Sequence, residues 1–156
     1  MAGFMEASAT AVLQGFVAAD EQLAIDGEPA ALLALACSIE QVASSLAATE
    51  IHMTIGDGPP PYPYVRYLGS ICVDLADRSD VVLLERHGSL RVAGHPAGLR
   101  LLATNLRFLA TQPRAPGCSS PRMSFFWHEG HAYLARESAE VTIFRLPIDP
   151  PPRASG

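Results

Sequence analysis

The sequence has no lysine; all eleven of its basic residues are arginine, which we read as genome composition rather than mechanism. It also lacks a long apolar run. The longest, from Ala30 to Ala36, falls far short of the roughly 20 residues a membrane helix needs, so a membrane protein is not expected. No basic residue precedes Glu6, which argues against a secretory leader. Cysteine is scarce and odd in number. Cys37, Cys72 and Cys118 include no C-x-x-C pair, which points to free thiols in a reducing compartment and to a cytoplasmic protein. Charged residues are few at 17%, against about 25% in average proteins.

What charge there is lies unevenly. Residues 1–80 carry eleven acids and two arginines, or −9, and residues 81–156 carry five acids and nine arginines, or +4. Asymmetry of this kind signals either an electrostatic partner or halves that neutralise each other in the fold. The net −5 argues against direct nucleic-acid binding. At 156 residues, one domain is expected, spanning 1–147, with a disordered tail over 148–156 where Pro150, Pro151 and Pro152 follow one another.

Two helices open the expected architecture. Val12, Leu13, Phe16, Val17 and Leu23 suggest one over Glu6–Ile25, although Gly15 weakens it. Leu32, Leu35, Ile39, Val42 and Leu46 repeat at helical spacing after Pro29, which suits a first helical turn. A short strand at Ile51–Ile55 leads to a Gly/Pro loop over 56–63, and Tyr64–Leu75 is rich in β-formers with a bend at Gly69-Ser70. Val81–Arg86 and Leu90–Val92 form a hairpin about His87-Gly88. The helix from Pro96 to Thr111 has the cleanest periodicity, through Leu99, Leu102, Ala103, Leu106 and Leu109. Met123–His128 and His131–Ala135 read as a hairpin turning at Glu129-Gly130, and Glu140–Leu146 as the last strand. The class is therefore α+β: an N-terminal helical hairpin, then a mainly antiparallel sheet with one further helix packed on it.

Candidate chemistry is thin. His128-x-x-His131 with Glu129 has neither the i, i+4 spacing nor the helical setting of a zinc-protease motif, and a third ligand such as Cys118 would come from a loop. Nothing in sequence brings Cys72 or Cys118 to a histidine. Gly56-x-Gly58 runs into prolines rather than a helix, so it is no dinucleotide loop. No enzymatic activity, cofactor or metal is expected.

Gly98-Leu99-Arg100-Leu101-Leu102-Ala103 opening a helix after a strand, a hairpin bearing His128, then Leu134 and Ser138-Ala139-Glu140-Val141-Thr142-Ile143 resemble the immunity protein 32 family. Those are small bacterial proteins of polymorphic toxin systems, inferred to neutralise a toxin made by the same cell. The resemblance covers residues 81–147 and implies an inhibitor that occludes a cognate toxin non-covalently. The alternatives are a homo-oligomeric adaptor, of which a homodimer is one form, and a small enzyme using His128, His131 and Cys118. A basic nuclease would suit the acidic half as a partner, because such a toxin needs a cationic surface for phosphates. Asp57, Asp74, Asp77 and Asp80 are the partner-binding candidates, with the helical Asp20, Glu21, Asp26 and Glu28 as a competing patch.

Overall fold

The computed structural model describes residues 11–113 and 121–147. Within them the first helix of the expected hairpin is absent. Its place is taken by two strands, β1 (Leu13–Ala18) and β2 (Leu23–Gly27), paired antiparallel from Leu13↔Gly27 to Val17↔Leu23. Residues 6–10 of that expected helix lie outside the described residues. The physical reason is a period of two rather than 3.6. Leu13, Val17, Leu23 and Ile25 all join the core from one face. Gly15 is not a weak helical position but a close approach: a Cβ there would sit 2.8 Å from a Leu68 methyl. Between the strands, Asp20 Oδ1 accepts the Gln22 N–H at 3.2 Å and Glu21 takes φ 71°, which closes the turn.

The second helix forms as expected. α1 (Pro29–Ser45) starts on Pro29 and ends on Leu46, whose left-handed backbone (φ 64°) returns its N–H to the Val42 carbonyl. β3 (Thr49–His52) follows. β4 (Tyr64–Leu68) and β5 (Ser70–Leu75) are one extended run divided at Gly69, where the chain leaves one sheet for the other. β6 (Val81–Arg86) and β7 (Ser89–Gly94) make the expected hairpin, with His87 (φ 51°) and Gly88 (φ 82°) at its tip.

α2 (Pro96–Thr111) buries Leu99, Leu102, Ala103, Leu106 and Leu109, the stripe its periodicity predicts. His95 turns out to be its cap, accepting the Ala97 N–H on Nδ1 at 3.2 Å. Gly98 lets this first turn close onto β6, since a Cβ would meet Val81 Cγ2 at 2.8 Å. β8 (Arg122–Phe125) and β9 (Val141–Arg145) complete the elements.

The strands form two sheets, not one. A five-stranded sheet runs β4-β1-β2-β9-β8, and a four-stranded sheet runs β3-β5-β7-β6. Pairing is mostly antiparallel, but β2–β9 and β5–β7 are parallel. Both sheets and both helices meet in one core. They line a cavity of about 20 Å³ through Ile25, Ile71, Leu83, Leu35, Leu106 and Ile143.

The expected hairpin across Glu129-Gly130 needs correction. The turn exists, with His131 N–H bonded to the His128 carbonyl at 2.9 Å and Gly130 at φ 88°. Its flanks do not pair with each other. β8 bonds to β9 instead, and the return segment lies along β6: Val81 N–H donates to the Tyr133 carbonyl and Ala135 N–H to the Val81 carbonyl, both at 2.7 Å. The edge of β6 and the edge of β9 offered these residues more backbone partners than they offered each other. The 148–156 tail lies outside the described residues, and no helix among the described residues is long and apolar enough to cross a membrane.

Candidate functional site

Five acids of the chain converge where the β1–β2 turn meets the segment between Ala135 and β9. Asp20, Glu21 and Gln22 from the turn, Leu84 and Glu85 from β6, and Glu137, Ala139 and Glu140 line an open cleft of about 340 Å³. Backbone hydrogen bonds fix its walls. Leu23 N–H donates to the Glu140 carbonyl at 2.9 Å, and Ala139 N–H to the Leu83 carbonyl at 2.7 Å. Ser138 Oγ receives the Leu83 N–H at 3.0 Å, which holds the 137–140 segment against β6.

Two guanidiniums border this cleft. Arg66 Nη1 is 2.7 Å from Glu85, and Arg78 Nη1 is 3.0 Å from Glu137 while its Nε bonds Asp80. Hydrogen bonding to these arginines holds the Glu85, Glu137 and Asp80 carboxyls below the usual range, so all three remain ionised at neutral pH. Arg78 thus joins Asp80 to the cleft. The Asp80–Arg78–Glu137 cluster thereby adjoins Glu140, Glu21 and Asp20 of the cleft. Five carboxylates in the cleft face two guanidiniums.

The residues singled out from sequence are dispersed. Asp77 is exposed on its turn and Asp57 is exposed in the proline loop. Asp74 accepts the Leu75 N–H at 2.8 Å and stands 4.0 Å from Arg91 of β7. Arg107 of α2 pairs with Glu40 of α1. Two pairs thus match acids of the acidic half with arginines of the basic half, and internal neutralisation accounts for part of the charge asymmetry. Of the competing patch, Asp20 and Glu21 line the cleft, whereas Glu28 accepts the Val12 N–H at 3.0 Å and Asp26 lies on a different surface. Sequence reading missed Glu85, Glu137 and Glu140. Glu137 and Glu140 lie more than fifty residues from Glu85, and the β6 edge brings them together.

The imidazoles form a second cluster. Phe126, His128, His131 and Tyr133 succeed one another with ring centroids 5.7, 5.2 and 5.0 Å apart. His131 Nδ1 accepts two backbone N–H groups, from Tyr133 and Leu134, each at 3.1 Å. That nitrogen is therefore unprotonated and has no lone pair left for a metal. Burial, then the neighbouring His128, pushes the His131 pKa down and favours the neutral ring. Asn105 of α2 bonds the Tyr133 hydroxyl at 2.5 Å, so the cluster anchors this segment to the helix. Among the described residues no group of three or more His, Cys, Asp or Glu side chains is arranged to hold a metal ion. Cys72 contacts Glu50 and Ser70, at 3.8 and 3.9 Å, and Cys37 is exposed beside Arg107. Cys118 lies outside the described residues.

Comparison of the chain with protein families, with characterised proteins and with solved structures finds no match. The resemblance to the immunity protein 32 family rests on the residues quoted for it alone.

Proposed function

We propose that this protein is an immunity-type inhibitor that binds a cognate toxin non-covalently and occludes it. The observation that supports this reading is the gathering of Asp20, Glu21, Glu85, Glu137 and Glu140 about an open cleft of about 340 Å³, with Arg78 tying Asp80 to its Glu137 wall. A basic face on the partner, such as the phosphate-binding surface of a nuclease, complements it. The inhibitor acts by covering, and no bond is made or broken.

The test uses the chain as bait in an extract of the organism that encodes it. A captured protein that stops growth when expressed alone, and is harmless when co-expressed with this chain, supports the proposal. Its association rate should fall steeply with salt, and the dependence should flatten when Asp77, Glu21 and Glu140 are changed to their amides. A captured toxin whose rate ignores both salt and these changes would move the interface elsewhere. Capture of nothing but this chain itself favours the second reading, a homo-oligomeric adaptor. That reading has Leu101 and Phe108 in its support, which stand two turns apart on α2 and are 47% and 59% exposed.

A further inference from the structure

The face of the five-stranded sheet turned away from the core is unusually aromatic and carries one carboxylate. Leu13, Val17, Leu23, Ile25, Val141, Ile143 and Phe125 point inward. Their neighbours therefore point outward. Register then arranges the outward residues in two rows. Tyr67, Phe16, Ala24, Thr142 and Ser124 form one, and Gln14, Asp26, Phe144 and Arg122 the other.

An irregularity enriches this face further. The β1–β4 register jumps between Val17 and Ala18, so Val17 faces Arg66 while Ala18 faces Tyr64, and Val65 bulges out. The bulge puts Tyr64 on the same side as Tyr67, three residues on. Both rings close over Phe16, with centroids 5.3 and 5.5 Å from it, and Tyr64 lies nearly flat on it at 25°. Phe16 and Ala24 are consequently buried although they face outward, while Tyr64, Tyr67, Phe144 and Asp26 remain half-exposed.

Asp26 has no ion-pair partner among the described residues. The arginines nearest in the fold are committed elsewhere: Arg66 to Glu85, and Arg145 to the end of α2. Arg122 shares the row of Asp26 but stands beyond Phe144 and forms no ion pair with it. Burial raises the Asp26 carboxyl above its usual range, and burial first, then the Asp26 charge, raises the Tyr64 hydroxyl. A partly desolvated anion beside aromatic faces has one natural complement, a cation with a delocalised, weakly hydrated charge.

We propose that Asp26, with Phe144 beside it in the register and the half-exposed Tyr64 and Tyr67 on the same face, forms a binding site for the guanidinium of an arginine on a partner protein. The carboxylate accepts its N–H donors, and the ring faces take its plane by cation–π contact. The site stands apart from the acidic cleft and does not depend on the toxin reading.

The probe is N-acetyl-arginine amide, titrated into the isotopically labelled protein at neutral pH. N-acetyl-citrulline amide serves as its uncharged isostere and N-acetyl-lysine amide as its point-charge counterpart. Saturable shifts of the Asp26 carboxyl and the Tyr64 ring are expected with the arginine compound and none with citrulline. Lysine should bind more weakly. Asp26→Asn should weaken arginine binding about tenfold, a change of about 1.4 kcal/mol, while amide signals elsewhere keep their positions. Tyr64→Leu should also weaken it. Equal shifts with citrulline, equal binding of lysine, no saturable shift up to the solubility limit, or full binding by a folded Asp26→Asn variant would each overturn the assignment.

Discussion

Two charges sit one step apart in the register of the five-stranded sheet, on opposite faces. Arg145 is paired with Gly27 and Asp26 with Phe144. Arg145 points inward, is 7% exposed, and delivers one nitrogen to three carbonyls at the end of α2: Leu109 and Ala110 at 3.2 Å and Gln112 at 2.5 Å. Those carbonyls lack helical partners and carry the negative end of the helix dipole, so the guanidinium is both hydrogen-bonded and neutralised there. Asp26 points outward, is less buried, and has no such arrangement. The deeper charge is thus the better satisfied. Depth alone does not decide whether a charge stabilises; the donors and acceptors around it do.

The comparison can be broken most forcefully from the inner side. Leu106→Ala or Leu102→Ala should cost about 2–5 kcal/mol in denaturant unfolding, because both are packed in the shared core and leave a cavity. Arg145→Met keeps the bulk but abandons three carbonyls. A loss of about 2–3 kcal/mol is expected, as for hydrogen bonds to charged groups, with faster amide exchange in the last turn of α2. An unchanged midpoint would mean that water replaces the guanidinium there.

Asp26→Asn should act in the opposite direction. The folded carboxyl titrates above its ordinary value of 3.8, so the wild-type fold is penalised for the charge above the folded pKa and not below 3.8. Wild-type stability from this group is fully present below the unfolded value and falls as pH rises through the folded one. The asparagine variant should therefore melt higher than wild type at neutral pH, and the gap should close below pH 3.8. A gap that persists in acid would locate the effect in packing rather than charge. Smallest of all should be Ser124→Ala on the outer face, whose only side-chain partner among the described residues is Thr142 at 3.2 Å in solvent. A change within about 0.5 kcal/mol is expected in the same unfolding assay.

Elements whose signal is local could be read from the chain. α1 and α2 carry leucines at helical spacing behind Pro29 and Pro96, and the β6–β7 hairpin carries its turn at His87-Gly88. β1 was obscured by its own composition. Its glycine, Gly15, is small because the Leu68 and Met53 side chains approach closely, and a residue without a side chain blurs a period of two. The parallel pairing of β2 with β9 has no local sign, since each strand's sequence is compatible with several neighbours. The cleft was hidden for the same reason. Asp77 and Asp80 were legible as an acidic turn, but Glu137 joins them only through Arg78, across the fold. The outer-face site depends on a bulge at Val65, and that irregularity exists only once β1 and β4 are paired.

The same parallel pairing sets a timetable for synthesis. β2 lies in the middle of its sheet, yet the strand that covers its second edge is the last one made, with Gly27 waiting for Arg145. A ribosome adding about 5–20 residues per second needs roughly ten seconds to supply it. Throughout that interval the nascent β1–β2 hairpin shows an open row of backbone donors and acceptors, the kind of edge on which chains stick to one another. Asp20 and Glu21 at its tip and Asp26 along it then serve as a guard, because neighbouring nascent copies carry the same negative charges and repel.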